Sequence, residues 1–279
     1  MEKQKSVLCP TDFTSVADNA LNYAIDFALK IGGNLIVLHI INSSFVATSK
    51  ATKEAEQSTS GLEKTIYEKL KMLKNDIETE HGISVTLMVE YGKNELVISR
   101  IAKEADVELI VIGSLGHTGV NTSFGASGME KLLDNTIIPV LIIPSETVYS
   151  FLDHWLYATD LKYDEDATLH ILVKLTSAFN ASLEVLYVRQ ENKKKMEDLH
   201  KFTLLLQKYS TGQETIFTEI QNENVLEGIE QYTWETKPDV LIMAKHLRDQ
   251  LDKLFKREDK IIEMIIRADF PLLVLHEDK

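Results

Sequence analysis

Short apolar, β-branched runs alternate with amphipathic stretches along the whole chain. In the first half the runs lie near 5–10, 34–40, 83–90, 107–113 and 138–143. Several are apolar throughout, which suits parallel strands covered on both faces. Between them, apolar positions fall at helical spacing. Leu62, Ile66, Leu70, Leu73 and Ile77 form one stripe of three- and four-residue steps, and Gly82 after His81 is a natural helix stop. Thr14 or Ser15 is placed to cap the helix that follows the first strand. The small polar residues of 43–60 predict a loop leading into the long second helix. The second half repeats the alternation, with strands near 153–159, 182–188, 213–221, 239–244 and 271–276. Strand–helix alternation with right-handed crossovers gives an open, doubly wound sheet.

The halves are copies of one another. Thr11-Asp12 matches Thr159-Asp160 at an offset of 148 (160 − 12), and at that offset Leu21, Leu35, Val37 and Leu38 fall on Leu169, Leu183, Val185 and Leu186. VELIVIG from Val107 resembles PDVLIMA from Pro238, and PVLIIP from Pro139 resembles PLLVLH from Pro271. Two domains are expected, 1–146 and 147–279. Each should be an open α/β fold with a parallel five-stranded sheet and helices on both faces. The joining segment 144–152 is short and lacks a flexible composition, so the domains are expected to pack closely.

Composition narrows the function classes. With 44% hydrophobic and 26% charged residues the chain reads as a globular protein. No apolar run approaches the ~20 residues of a membrane helix. The start, MEKQKSVLCPTDF, reads as neither a signal nor a transit peptide, so the expected location is the cytoplasm. The single cysteine, Cys9, excludes an intramolecular disulfide and a cysteine-based metal framework. A net charge of −13 argues against a general nucleic-acid binder. Any anionic ligand must be held by a local site rather than by the overall field.

In open parallel sheets, ligands bind beyond the carboxyl ends of the strands, where strand order reverses. Two segments of the first half fall there: Pro10-Thr11-Asp12, and residues 113–133 (GSLGHTGVNTSFGASGMEKLL). Gly113, Gly116, Gly119, Gly125 and Gly128 crowd the second segment, which then turns helical with Met129, Leu132 and Leu133 on its apolar side. A glycine-rich turn beside a helix N-terminus makes an anion site without needing a basic protein. The segment is neither a Walker loop nor the dinucleotide G-x-G-x-x-G. Read on its own, it is equally well a surface loop.

Together these features resemble the universal stress protein family in its tandem form, over essentially the whole chain. That family carries an Asp at the end of strand one and a loop written G-x2-G-x9-G-[ST]. PTDF supplies the Asp, Gly113-Ser114-Leu115-Gly116 opens the loop, and Pro139-Val140-Leu141-Ile142 matches the closing strand. The pattern expects Gly-Ser where this chain has Ala126-Ser127. The resemblance implies a Rossmann-like fold of the adenine nucleotide alpha-hydrolase type, arranged as a pseudo-dimer through the final strands. It also implies ATP or another adenine nucleotide in the first domain, with room for Mg²⁺ beside it. By the same resemblance, Asp12 contacts the adenosine, Pro10, Thr11 and Ile40 line the base pocket, and Ile112 lies beside them. Gly113 and Gly116 would turn the backbone toward the phosphates. Ala126, Ser127 and the Gly128 amide would complete the cradle.

The second half departs further. Ala244 and Leu247 replace Gly113 and Gly116, and Glu258 and Asp259 fall where Ala126 and Ser127 would be. Carboxylates beside phosphates repel them, so no nucleotide is expected there. The cationic stretch 245–257 reads as a solvated loop and helix. No G-x-S-x-G, no H-E-x-x-H and no cysteine–histidine partnership appears. His39 reads as a packed residue rather than a base. The expected role is a stress-response sensor or adaptor with a protein partner, without dedicated catalysis. A nucleotide-independent interaction protein and a weak ATP hydrolase remain as alternatives, and a further homodimer stays open.

Overall fold

A computed structural model describes residues 5–42, 53–115, 126–161, 166–190, 196–209, 215–246 and 260–277. The chain divides into two compact units, Met1–Ser145 and Glu146–Lys279. The first runs β1 (Ser6–Pro10), α1 (Ser15–Lys30), β2 (Asn34–Asn42), α2 (Lys53–His81), β3 (Val85–Gly92), α3 (Asn94–Glu104), β4 (Leu109–Ser114), α4 (Ala126–Asn135) and β5 (Val140–Pro144). Its strands lie in the order β3-β2-β1-β4-β5, every pair parallel. Strand order reverses between β1 and β4, so the crevice of a doubly wound sheet lies at their carboxyl ends. Steps to one side through α1 and α2, and to the other through α3 and α4, place the two pairs on opposite faces.

Burial explains the apolar runs. Val7, Leu8 and Cys9 of β1 and Leu35, Val37 and Leu38 of β2 are fully buried, as central strands covered on both faces require. Burial raises the Cys9 thiol to about 12, with the Asp18 carboxylate adding to the shift. In α2, Ile66, Leu70 and Ile77 of the expected stripe are buried, whereas Leu62 is exposed. The helix also starts earlier than the polar composition suggests, at Lys53. Lys, Glu, Ala and Gln over 53–57 are good helix formers, which offsets the Ser/Thr content that follows. The remainder of the expected loop, 43–52, lies outside the described residues.

The second unit runs β6 (His154–Thr159), α5 (Asp166–Phe179), β7 (Ser182–Arg189), α6 (Met196–Tyr209), β8 (Thr215–Gln221), α7 (Val225–Thr236), β9 (Val240–His246), α8 (Lys260–Arg267) and β10 (Leu272–Glu277). Its order is β8-β7-β6-β9-β10, again all parallel. Lys245 and His246 close β9, so the expected cationic loop loses its first two residues to the strand.

The duplication extends to hydrogen bonds outside the regular ladders. Asn34 N donates to Lys5 O (2.9 Å) as Ser182 N does to Asp153 O (2.7 Å). Gly33 N donates to Ala28 O (2.8 Å) as Ala181 N does to Thr176 O (2.9 Å), and Glu108 N to Ser6 O (2.9 Å) as Asp239 N to His154 O (2.8 Å). Left-handed backbone also recurs in pairs: Phe13 and Leu161 (φ 61° and 56°), Gly32 and Asn180 (64° and 55°), Asp106 and Lys237 (51° and 48°).

Two features separate the copies. Helix α2 has 29 residues against 14 in α6. A polar cluster in the second unit also falls on positions that are different in the first. Glu184 Oε1 accepts from Thr218 Oγ1 (2.7 Å) and, by a very short bond, from the Tyr232 hydroxyl. Its Oε2 lies 3.2 Å from His154 Nε2. The corresponding first-unit positions are Met88, Ile101 and Ser6, around Ile36 in place of Glu184.

Candidate functional site

The corner between β1 and α1 is built from side-chain-to-backbone hydrogen bonds. Thr11 N donates to Leu38 O (2.8 Å), holding the end of β1 to β2. Phe13 takes the left-handed backbone, and its amide donates to Thr11 Oγ1 (3.1 Å). Asp12 Oδ1 accepts from Thr14 N (3.1 Å) and Thr14 Oγ1 (2.6 Å). Thr14 in turn caps α1 by accepting from Ala17 N (3.3 Å). Asp12 is exposed and Thr11 buried, so the corner presents a carboxylate on a rigid base.

The other expected residues fall around this corner. Pro10 ends β1 opposite Leu38, which puts Ile40 on β2 level with Asp12. Pro10 and Ile40 are both half-buried. Ile112 is a core residue of β4, 3% exposed. Gly113 is the penultimate residue of the same strand, and its role is steric. A Cβ there would stand 2.7 Å from both Val16 Cγ1 and Val16 O. Only hydrogen lets the first turn of α1 seat on β4, a contact no spacing in the sequence reveals.

Helix α4 begins at Ala126, with Ser127 exposed and Gly128 half-buried. Ala126 lies within the helix, where φ is about −60°, so this position does not demand the left-handed backbone that would exclude alanine. The first amides of a helix lack partners within it, and those of 126–128 are such donors. Met129, Leu132 and Leu133 are buried, as the apolar side of the helix predicts. Gly116, His117, Gly119 and Gly125 lie outside the described residues.

Sequence reasoning treated His39 only as packed. Its Nδ1 lies 2.8 Å from Thr11 O, and its ring stacks on Phe13 at 4.9 Å and 25°. Lys69 of α2 places its Nζ 5.3 Å from the centre of the Phe13 ring. Burial holds His39 below its usual pKa, against the bond to Thr11 and the nearby Asp12 charge; Lys69 adds to the lowering.

The second unit repeats the corner, Asp160 included, but changes the residues around it. Leu161 N donates to Thr159 Oγ1 (3.0 Å), matching Phe13 and Thr11. Tyr187 stands where His39 does, Ala244 where Gly113 does, and Lys245, 4% exposed, where Ser114 does. Leu247, Glu258 and Asp259 lie outside the described residues. No group of three or more histidine, cysteine or carboxylate side chains suited to a metal occurs among the described residues. Among them, too, no helix is long and apolar enough to cross a membrane.

Comparison with known proteins completes the description. Residues 4–144 match the universal stress protein family model. The chain belongs to the universal stress protein family. It is 30% identical over 141 residues to one universal stress protein of Methanocaldococcus jannaschii, covering 50% of this chain and 81% of that protein. A second protein of that family and organism is 26% identical over 153 residues, covering 50% of this chain and 94% of its own. Among solved structures, a universal stress protein from Archaeoglobus fulgidus matches with a TM-score of 0.76 at 20% identity, over 99% of both chains. That likeness extends the family fold to the full two-unit chain.

Proposed function

We propose that the first unit binds ATP or another adenine nucleotide at the carboxyl ends of β1 and β4 and serves as a stress-response sensor or adaptor without dedicated catalysis. The observation that carries this reading is the β1–α1 corner at the switch point, where Asp12 stands on a hydrogen-bonded turn leading into α1, whose Val16 packs on Gly113. Asp12 would accept from the ribose hydroxyls, with Pro10, Thr11 and Ile40 beside the base and Ile112 beneath. Gly113 would keep the crevice open by seating α1, and the amides at 126–128 would face the phosphates together with Gly116. Mg²⁺ would accompany the nucleotide through its phosphates.

The second unit would serve the fold and a protein partner rather than a nucleotide, since Ala244 and the buried Lys245 replace Gly113 and Ser114. A cytoplasmic location fits this role.

Calorimetric titration with ATP and Mg²⁺ tests the reading. One site per chain is expected, lost in Asp12→Ala. Two sites, or none, would overturn it. Release of phosphate from bound ATP that depends on Asp12 would point to the hydrolase alternative instead.

A further inference from the structure

The residue on each side of Asp12 is held by the same side chain. His39 Nδ1 meets the Thr11 carbonyl at 2.8 Å, and the His39 ring stacks on Phe13. A carbonyl oxygen only accepts, so this contact requires the proton on Nδ1. Phe13 is the residue whose left-handed backbone turns the chain, and its amide is already tied to Thr11. Four contacts therefore close a ring around the Asp12 peptide: His39 to Thr11, Thr11 to Phe13, Phe13 to His39, and Thr11 to Leu38 beside His39 on β2. The second unit keeps the threonine–amide bond but has Leu161 in place of Phe13 and the buried Tyr187 in place of His39. The histidine and the phenylalanine thus accompany the half with the glycine-rich loop.

We propose that His39 is a positioning residue for ligand binding in the first unit, fixing the Asp12 carboxylate by gripping the carbonyl before it and the ring after it. The inference rests on the nucleotide reading above for its effect on affinity, but its structural part stands separately. His39 itself does not address the ligand. Around it the charged groups are Asp12 on its own corner and Lys69 from α2. Lys69 also caps the outer side of the Phe13 ring.

Two substitutions separate the donor from the ring. His39→Asn places an amide N–H where Nδ1–H stands, and His39→Phe keeps a ring against Phe13 without a donor. Nitrogen-15 NMR of the wild-type protein is expected to show His39 as the Nδ1–H tautomer. Amide exchange at Phe13 should stay slow in His39→Asn and accelerate about tenfold in His39→Phe, the size expected for losing one hydrogen bond. ATP affinity, with helical content unchanged by circular dichroism, should stay within about threefold in the Asn variant and fall about tenfold in the Phe variant.

An Nε2–H tautomer would overturn the proposal. So would a Phe variant with unchanged exchange, or an Asn variant that loses as much as the Phe variant. If the wild-type chain takes up no adenine nucleotide, the functional reading falls, and the tautomer and exchange results still decide the part of His39.

Discussion

Phe13 and Leu161 occupy the same corner of the two repeats, and each donates its amide to a threonine hydroxyl two residues earlier, at 3.1 Å and 3.0 Å. Both pay for a left-handed backbone with a bulky side chain, which glycine would avoid. The hydroxyl is what holds the turn. Thr159→Val keeps the shape of the buried side chain and removes that acceptor, leaving the Leu161 amide unsatisfied. A loss of about 1–2 kcal/mol is expected from urea unfolding followed by tryptophan fluorescence.

Lys237 ends α7 in the left-handed conformation at φ 48°, with its side chain exposed. Nothing is gained from a Cβ there. Lys237→Gly should stabilise the second unit by about 0.5–1 kcal/mol, read as a higher denaturation midpoint at unchanged slope.

Gly113 is where the glycine-rich segment and the core meet. In Gly113→Ala the new methyl would fall 2.7 Å from the Val16 carbonyl as well as its side chain. A cost of about 1–3 kcal/mol is expected in thermal or chemical unfolding of the ligand-free protein. Adding Val16→Ala should recover only part of it, because the carbonyl stays. Weakened ligand binding in a Gly113 variant would therefore report on α1 packing as much as on the phosphate loop, and Asp12→Ala is the cleaner probe.

The Glu184 cluster makes a prediction with two parts. Glu184→Ile alone leaves His154, Thr218 and Tyr232 without their shared acceptor and should cost about 2–4 kcal/mol, whereas converting all four residues to their first-unit counterparts should be nearly neutral. Burial first, and then the bond to Glu184, raises the Tyr232 phenol above its ordinary 10.0. The folded state thus holds this proton more tightly than the unfolded chain does. The stability it contributes is complete below pH 10 and is lost as the pH rises from there through the raised value. In an ultraviolet titration the late-ionising absorbance should shrink by one tyrosine in Tyr232→Phe.

Much of this fold was legible because parallel sheets buried on both faces leave near-continuous apolar runs, and the strand positions 34–40, 182–188 and 239–244 reflect that. Thr14 as a cap and Gly82 as a stop were legible for the same reason: their chemistry is local. The reach of α2 was less so. Ile66 is buried but Leu62 is exposed, so a continuous stripe along the sequence does not say where the supporting sheet ends. The candidate site was legible as a place and only partly as a mechanism. Asp12 and Gly113 carry the right residue types, and the bond from Thr14 to Asp12 is a local turn contact, yet the seat of Val16 on Gly113 arises from three-dimensional approach. His39 was passed over because its partner is a backbone carbonyl, which every residue carries. The Glu184 cluster draws on four separate elements, and no spacing along the chain brings them together.

The fit of Gly113 against Val16 also sets what can move. With the Val16 carbonyl and side chain both pressed against Gly113, the first turn of α1 and the end of β4 cannot slide past one another without a collision. They form a fixed frame to which Asp12, through Thr14, is bolted. A distance probe spanning Ser15 and Ile112 should read the same length with and without ligand, making that pair the internal ruler against which motion elsewhere in the first unit is gauged.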